Sequence, residues 1–309
     1  MSYRASLAAV VLLATMTPLV PAEDRPNAGA VPALEGSRPG EDRDDNALKM
    51  RFCWCPKGTF RMGSPADEPD RQPNEGPVNV TLSQGFWMGK FEVTQDEWRR
   101  VMGTSLKEKM RERFDDLGPL VPVPMGGEGP NYPMYLIDHL EAETFCIKLT
   151  ETERRAGRLP SGWSYRLPTE AQWEYACRAG TTSATAFGNS LSSEQANFNG
   201  DEPYNGAAKG PFLEKTTPVG HYKRANAWGL LDMHGNVMEW CRDGYTDQLP
   251  GGVDPLGPPA ATERVVRGGC WFFLGWACRS AAREKTVPSN NDLVLGFRVA
   301  RVPSGPGVE

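Results

Sequence analysis

The sequence lacks the features that mark nucleic-acid-binding and membrane-spanning proteins. Its 34 lysines and arginines stand against 39 aspartates and glutamates, the net charge is −5, and the basic residues are scattered rather than clustered. This distribution argues against a nucleic-acid partner or a basic membrane-surface face. No segment beyond the N-terminal region offers the roughly 18 consecutive apolar residues that a spanning helix needs. The expected partners are small ligands or proteins.

Common catalytic and metal motifs are also missing. The sequence contains no GxSxG, HExxH or P-loop pattern, and no repeat with a period of about 20 to 50 residues. Its three histidines, His139, His221 and His234, are too dispersed for a metal-spacing motif. We interpret His234 as a surface residue, because a lone histidine without a partner is rarely catalytic.

The N-terminal residues are typical of a cleavable signal peptide. Arg4 precedes a short apolar run at 7–16, and Val20-Pro21-Ala22 provides small or compact residues for a cleavage site. The run is too short for a membrane anchor. The sequence therefore predicts a signal peptide at 1–22, no membrane span after its removal, and an extracytoplasmic protein that is periplasmic or secreted.

Composition divides the rest of the chain. Residues 23–50 have no apolar periodicity and are rich in Pro, Gly, Asp and Arg, which predicts a disordered or extended tether. A globular domain is expected at 51–303 and a short tail at 304–309. The chain is 39% hydrophobic, enough for a core, while 33 glycines and 27 prolines predict many turns.

Helix starts are indicated by capping boxes, in which a capping side chain is followed three residues later by Glu or Gln. The pairs are Thr94 with Glu97, Asp138 with Glu141, and Thr169 with Gln172. Alternating residues at 52–64 predict a hairpin, and short strands with long loops are expected after Thr181. The predicted fold class is α+β: an irregular, loop-rich single domain with few short helices and short strands.

The chain has seven cysteines: Cys53, Cys55, Cys146, Cys177, Cys241, Cys270 and Cys278. In an exported protein, an odd number leaves at least one thiol free, metal-bound or joined to another chain. Cys146 and Cys177 are expected on apolar helix faces, as buried thiols or in disulfides. Cys53 and Cys55 would share one face of a strand, but two thiols alone make a poor metal site.

A series of motifs identifies a family resemblance: FRMGS, EVTQDEW, YRLPTEAQWEYACRAGT, GLLDMHGNVMEWCRD, RVVRGGCW, CRSAAR and LGFRVAR occur in this order. The series resembles the sulfatase-modifying factor family, the family of the formylglycine-generating enzyme. The motifs LPTEAQWEYACRAGT and GNVMEW are specific, whereas GFR alone would be weak. The resemblance implies a compact domain with little regular secondary structure, related to C-type lectin folds and usually holding calcium.

The residue types in GLLDMHGNVMEWCRD suit a calcium loop. Asp232 and Glu239 supply hard carboxylate oxygens, and Gly235 lets the backbone bend so that carbonyls can face one centre. The other interpretation is that Asp232 caps a turn and Glu239 makes an ordinary surface ion pair. The resemblance implies a first calcium site made of Asp232, Gly235, Val237 and Glu239, and a second that begins at Asn197 and Phe198. The remaining ligands of the second site have no match here.

The catalytic residues of the family do not carry over. The resemblance implies copper(I) held by a C-x4-C pair, because soft thiolates suit copper(I). The corresponding segment, CWFFLGWACRSAAR, offers only Cys270 and Cys278, neither at a copper-ligand position. Met238 also replaces the tryptophan of the family's GNVWEW. These differences argue against copper chemistry by the family mechanism, although Cys270 and Cys278 could converge on a soft metal or form a redox-active disulfide.

The resemblance also bears on disulfides and on a peptide groove. The family cysteine matching Cys177 bonds one that matches Ser280, and the one matching Cys146 bonds one that matches Val299; both partners are missing here. A Cys177–Cys278 bridge is a hypothesis. The groove would be lined by Met238, Trp271, Arg279 and Arg283, while Arg298 is expected to satisfy buried acceptors. The aromatic residues beside Trp271 are either a ligand-binding rim or core.

Two functions from different classes follow. One is an oxidase of the formylglycine-generating type that acts on a cysteine or serine of an exported sulfatase or another protein. The other is a non-catalytic, calcium-stabilised module that binds a peptide, a glycan or a partner protein. Fold resemblance does not decide between them, since function depends on the site.

Overall fold

A computed structural model of the chain describes residues 34–114 and 126–303. The predicted signal peptide at 1–22 and the predicted tail at 304–309 lie outside the described residues. The helices are α1 (Gln95–Met102), α2 (Leu106–Phe114), α3 (His139–Arg155) and α4 (Glu170–Arg178). The strands are β1 (Asp42–Arg43), β2 (Phe52–Cys55), β3 (Gly58–Met62), β4 (Val78–Leu82), β5 (Phe86–Gly89), β6 (Trp163–Arg166), β7 (Met238–Gly244), β8 (Gly252–Val253), β9 (Arg264–Arg267), β10 (Glu284–Thr286), β11 (Leu295–Gly296) and β12 (Ala300–Pro303). Short strands, few helices and long connections confirm the irregular α+β class.

The strands form three small sheets. The largest has five strands in the order β1-β2-β5-β12-β6, and all its neighbours are antiparallel. The second has the order β10-β9-β7-β11 and the third β3-β4-β8; each of these two contains one parallel pair at its end. Because β12 lies between β5 and β6, the last strand ties the end of the domain to its beginning.

The five-stranded sheet separates two hydrophobic clusters. In β2, Phe52 and Trp54 belong to one cluster, whereas Cys53 and Cys55 belong to the other. Successive side chains of a strand point to opposite faces, so this alternation places the two thiols together on one side. The prediction that Cys53 and Cys55 share a face is confirmed, and both side chains are fully buried.

The helices begin where the capping boxes predict. The side chains of Thr94, Asp138 and Thr169 each accept a hydrogen bond from the backbone N–H three residues later, and the Glu or Gln side chain at that position accepts one from the backbone N–H of the capping residue. Each box thereby satisfies two of the free donors at a helix start. Helix α2 was not expected, although Ser105 and Glu108 form the same reciprocal pair at its start.

The predicted tether is wrong for the part of it that the structure describes. Leu34 and Met50 are buried, and β1 pairs with β2. The Trp87 indole N–H donates a 2.6 Å hydrogen bond to the Leu34 carbonyl, and the Asn46 side chain donates one to the Met50 carbonyl. A few isolated apolar residues are enough to dock this polar segment, and they leave no periodic pattern in the sequence. The globular unit therefore begins before residue 51.

The hairpin predicted at 52–64 is also wrong. Strand β2 pairs with β1 and β5, whereas β3 pairs with β4 in another sheet. Pro56 and Lys57 between them carry the chain from one sheet to the next. Alternation correctly predicted two strands here, but it carries no information about which strands pair.

Across residues 34–114 and 126–303, we find no helix with both the length and the apolar character needed to cross a membrane.

Candidate functional site

The first set of residues predicted to bind calcium lies on the loop that leads into β7 and at the start of that strand. Asp232 adopts a left-handed conformation with φ of 56°, and its carboxylate accepts a hydrogen bond from the Gly220 N–H. Gly235 has φ of 101°, and a Cβ at this position would lie 2.3 Å from the Asn197 carbonyl oxygen. Only glycine fits both the conformation and this close approach. The turn therefore brings together two parts of the predicted site, Gly235 and Asn197.

Glu239 lies at the start of β7 in a buried ion pair with Arg298. Its Oε2 accepts from Arg298 Nε at 2.6 Å and its Oε1 from Arg298 Nη2 at 2.6 Å. The Trp173 indole N–H donates a further 2.7 Å hydrogen bond to Oε2. The alternative interpretation was that Glu239 makes a surface ion pair. Glu239 does make an ion pair, but the pair is buried, because neither partner is exposed. As expected, Arg298 satisfies buried acceptors, including the Gly89 and Leu231 carbonyls.

A second buried carboxylate, Glu92, was not identified from the sequence. Its Oε1 accepts a 2.9 Å hydrogen bond from the Asn236 side chain, while its Oε2 has no partner among the described residues. Burial, and then the negative charge of Asp232, raise the pKa of Glu92 well above its usual value. Burial also raises the pKa of Asp232 to about 6, and Glu239 adds to this effect. A carboxylate environment of this kind favours protonation or a bound cation.

Asn236 connects the two predicted calcium sites. Its backbone N–H donates to the Asn197 carbonyl at 2.8 Å, and its Oδ1 accepts from Asn197 Nδ2 at 3.1 Å. Asn236 also contacts Glu92, so hydrogen bonds join Asn197 to Glu92, while Asp232 and Glu239 act on Glu92 through their charges. The Phe198 side chain is fully buried in a third hydrophobic cluster, which leaves its backbone carbonyl as the group that could bind a metal.

The composition of this network fits a hard divalent cation. When ionised, Glu92, Asp232 and Glu239 carry three negative charges, and Arg298 supplies one positive charge among them. The buried carbonyl oxygens of Gly235 and Val237 receive no hydrogen bond from any residue that the structure describes. Buried acceptors without donors indicate water or an ion, and carbonyl and carboxylate oxygens are the ligands that calcium prefers.

Side chains alone form no metal site in the described part of the chain. Among residues 34–114 and 126–303, no three His, Cys, Asp or Glu side chains converge in a metal-binding arrangement. Any cation in this network would therefore depend on backbone carbonyl and amide oxygens together with the carboxylates.

Cys270 and Cys278 are brought together but closed off from solvent. A Cβ on Gly269 would lie 2.6 Å from Cys278 Sγ, and the Cys270 backbone N–H is directed at the same sulfur. Both side chains are 0% exposed. Burial raises the pKa of Cys270 to about 12 and that of Cys278 well above its usual value. A catalytic metal needs an open coordination position, so the two thiols do not fit a catalytic copper site.

Two of the four predicted groove residues, Arg279 and Arg283, are held inside the domain by buried carboxylates. Arg279 is fully buried, with bonds to Glu68 at 2.6 Å and to Glu75 at 2.7 and 2.8 Å. Arg283 is likewise buried against Glu170. These guanidinium groups point inward because the carboxylates that neutralise them are themselves buried.

Met238 and Trp271 lie just beneath the surface, each 8% exposed, and the Trp271 indole nitrogen has no partner among the described residues.

Of the residues beside Trp271, some are in the core and others are at the surface. Phe272 is 59% exposed and Leu274 38% exposed, whereas Phe273 packs against the core. Phe272 and Leu274 form what we call the apolar rim.

The comparisons with known proteins agree with this fold. Residues 41–303 match the model of the sulfatase-modifying factor enzyme 1-like domain. The chain belongs to this family. The match begins within the segment that composition had assigned to the tether, which agrees with its folded structure.

Proteins similar to this chain have different names. The chain is 27% identical over 312 residues to the formylglycine-generating enzyme of Mus musculus, covering 86% of this chain and 79% of that protein. It is 38% identical over 295 residues to the serine/threonine-protein kinase pkn1 of Chlamydia caviae, covering 84% of this chain but 39% of the kinase. The solved structure of PvdO from Pseudomonas aeruginosa superposes with a TM-score of 0.67 at 27% identity, covering 86% of this chain and 99% of PvdO.

His234 is a further correction to the sequence analysis. It is 2% exposed rather than on the surface. Nδ1 lies 2.7 Å from the Cys278 carbonyl, and Nε2 lies 3.1 Å from the Ala186 backbone nitrogen. The carbonyl requires a donor and the N–H requires an acceptor, which together select the neutral ring with its proton on Nδ1. Burial accordingly lowers the pKa of His234 to about 4.

The hypothesis of a Cys177–Cys278 bridge is not supported, because both are free thiols in the structure. Cys177 Sγ instead lies 3.5 Å from Ser280 Oγ and 3.8 Å from His234 Nε2. Ser280 thus lies beside Cys177, at the position where the family resemblance places the cysteine that pairs with the one matching Cys177. His234 lies between Cys177 and the Cys278 backbone, a position that spacing in sequence could not reveal.

Glu92 is the site residue that sequence reasoning missed. It lies in KFEVTQDEW, one of the motifs that carried the family resemblance. The signal was therefore present, but a single carboxylate before a capping box does not indicate that it is buried. Its proximity to Asp232 and Asn236 depends entirely on tertiary structure.

The raised pKa of Asp232 predicts a pH dependence of the free energy of unfolding, which tests this group of carboxylates. In a metal-free buffer with EDTA, folded Asp232 keeps its proton up to about pH 6, whereas the unfolded chain releases it near pH 4. Folded protein then binds more protons in this window, so the contribution of Asp232 to the free energy of unfolding falls as pH rises from about 4 to about 6. Urea unfolding at intervals across this window should show that fall for the unsubstituted protein relative to Asp232→Asn.

Asparagine tolerates the left-handed conformation at position 232, so the substitution preserves the turn. Buried His234 gives an opposite pH dependence, because its folded pKa is lowered, but it does so equally in both proteins. Asp67→Asn, at an exposed position, is the control and should follow the unsubstituted protein. Parallel pH profiles for the unsubstituted protein and Asp232→Asn would contradict the assignment.

Proposed function

We propose that this chain is an exported, calcium-stabilised binding member of its family that does not carry out the formylglycine-generating oxidation. The observation that carries this proposal is the complete burial of Cys270 and Cys278. A thiol that oxidises a protein substrate must meet that substrate as a thiolate or through a bound metal. The raised pKa values of both thiols oppose formation of the thiolate, and neither sulfur is exposed to meet a substrate.

Calcium is proposed as a structural ligand. Asp232, Glu239 and the Gly235 and Val237 carbonyls would hold it, with Asn197 and Phe198 contributing from the adjoining segment. Glu92 has an oxygen without a partner and would balance the charge. The ion would supply positive charge and rigidity to an irregular loop. Oε2 of Glu239 accepts from both Arg298 and Trp173, whereas Oε1 accepts from Arg298 alone and keeps a second lone pair for a metal.

The binding surface is proposed to include the apolar rim. Phe272 and Leu274 are among the few exposed large hydrophobic residues in the described part of the chain. They lie on the connection between Cys270 and the short 3-10 helix at Gly275–Cys278. Such a surface suits a protein or peptide, and a partner outside the cytoplasm follows from the predicted signal peptide. An exported sulfatase is one partner that the family relationship brings into consideration.

The oxidase remains the second candidate, because Cys270 and Cys278 are neighbours in the fold. The discriminating experiment is aerobic incubation of the mature protein, with and without copper(I), with a peptide that carries Cys-x-Pro-x-Arg. Mass spectrometry would report the mass change of cysteine oxidation to formylglycine. We expect no conversion under either condition. Conversion that is lost in both Cys270→Ala and Cys278→Ala would overturn the proposal and establish an oxidase with a rearranged thiol pair.

Calcium binding is tested separately by thermal and urea unfolding. Calcium at roughly 100 times its dissociation constant should raise the free energy of unfolding by about 2.7 kcal/mol, because it binds the folded state alone. Asp232→Asn should lose most of this increase, since it removes a charged ligand, whereas Asp67→Asn should retain it. Equal stabilisation of both variants, or none of the unsubstituted protein, would contradict the calcium assignment.

A further inference from the structure

A surface cleft between α3 and β6 has no role in the proposal above. Its volume is about 420 Å³, and α3 contributes Leu140, Ile147 and Arg154 to its wall. A second cavity of about 300 Å³ adjoins it, and the two share Arg166, Leu167 and Arg242. We call the two together the α3 cleft. None of the residues predicted to be catalytic, calcium-binding or groove-forming lines it.

The three arginines of the α3 cleft form no ion pair with the described residues, although the positive charge of Arg242 acts on the carboxyl of Asp243. No carboxylate of the described residues lies within 4.0 Å of the guanidinium groups of Arg154, Arg166 or Arg242. Arg154 donates to the Trp163 carbonyl and Arg166 to the Ser164 hydroxyl. The Arg242 side chain makes no hydrogen bond within the described part of the chain.

This arrangement contrasts with the rest of the molecule, where buried arginines are matched by acids. Arg178, Arg267, Arg279, Arg283 and Arg298 each form an ion pair with a buried glutamate. Half-buried Arg166 therefore departs from the pattern of the buried arginines, whereas Arg154 and Arg242 are exposed, as is Arg61, which also has no ion pair with any described residue.

The unmatched charges are close enough to repel one another. Burial lowers the pKa of Arg166, and the positive charges of Arg242 and Arg154 lower it further. Like charges held together in a partly enclosed space are destabilising unless an anion lies between them. Arg166 is half-buried, so solvent only partly relieves this repulsion.

The acids that do line the α3 cleft lie elsewhere in it. Glu143 is 3.7 Å from His139, and Glu151 is exposed on the same helix. Asp254, in the smaller cavity, accepts two hydrogen bonds from Ser83. The boundary shared by the two cavities is thus the most positive part of the cleft, and it is formed by Arg166 and Arg242.

An apolar surface adjoins this positive boundary. Leu140 is 68% exposed and Ile147 is 57% exposed, unusually high values for large apolar side chains in a domain with ample core. Seven residues apart, they lie on one face of α3. Cys146, Tyr165 and Leu167 line the cavity beneath them. The α3 cleft therefore offers an apolar trough with two guanidinium groups at one end.

We propose that the α3 cleft binds an amphiphilic anion, with its head group between Arg166 and Arg242 and its apolar part along Leu140 and Ile147. The head group is a carboxylate or a phosphate, since guanidinium groups recognise both with paired hydrogen bonds. The volume suits a ligand with a chain or ring of small-molecule size. Binding neutralises the unmatched arginines and covers the exposed apolar side chains in one step.

Isothermal titration of the full chain with decanoate and with decyl phosphate, each below its micelle concentration, tests this site. We expect one saturable site, with the tighter of the two ligands identifying the head group. Decanol, which lacks the charge, and acetate, which lacks the chain, should each bind at least about tenfold more weakly. Affinity for the anions should fall as sodium chloride is raised, because both arginines are reached by solvent.

Substitutions locate the site. Arg242→Gln and Arg166→Gln should each weaken decanoate binding by about tenfold or more. The matched control is Arg61→Gln, because Arg61 is also an exposed strand arginine without an ion pair and lies outside the α3 cleft. Ile147→Ser should weaken decanoate but leave the weak binding of acetate unchanged. Circular dichroism confirms that each variant is folded.

The proposal is overturned if neither anion binds saturably, if decanol binds as tightly as decanoate, or if Arg61→Gln weakens binding as much as Arg242→Gln. These outcomes do not depend on calcium or on the cysteines, so they are independent of the tests of the proposed function.

Discussion

The pairing of Arg298 with Glu239 is the constraint on which the rest of the structure depends. Both groups are fully buried, and leaving either without its partner costs about 3–5 kcal/mol. Arg298 also holds two backbone carbonyls, and Glu239 holds the Trp173 indole. One ion pair thereby fixes α4, β7 and the segment after β11 around the loop that contains Asp232. A fold with little regular structure needs such fixed points.

The neutralisation of buried charges also limits what the molecule can do. Arg279 and Arg283, which family resemblance placed in a peptide groove, are used to neutralise buried glutamates. Cys270 and Cys278 are likewise part of the packed interior. Where charges are left over, they indicate ligands: an excess of carboxylates near Asp232 suits a cation, and unmatched arginines in the α3 cleft suit an anion. Function is therefore expected at the places where internal neutralisation is incomplete.

The sequence predicted what local patterns determine. Capping boxes marked three helix starts, strand alternation placed Cys53 and Cys55 on one face, and ordered motifs identified the family. It failed where pairing over long distances decides the outcome. Glu92 became a site residue only through its contact with Asn236, and residues 34–50 folded because Leu34 and Met50 dock in a core made by other segments. The burial of His234 beside Cys278 likewise results from contacts between segments that are distant in sequence.

Under the proposed function, Cys270 and Cys278 are structural residues rather than reactive thiols. The rate at which iodoacetamide labels each cysteine of the native protein, read by peptide mass spectrometry, tests this assignment. We expect Cys270 and Cys278 to stay unlabelled until the chain is unfolded under reducing conditions and then to react fully, because burial keeps both sulfurs from solvent and raises their pKa values. Labelling of either residue in the native protein at the rate of a free peptide thiol would contradict it.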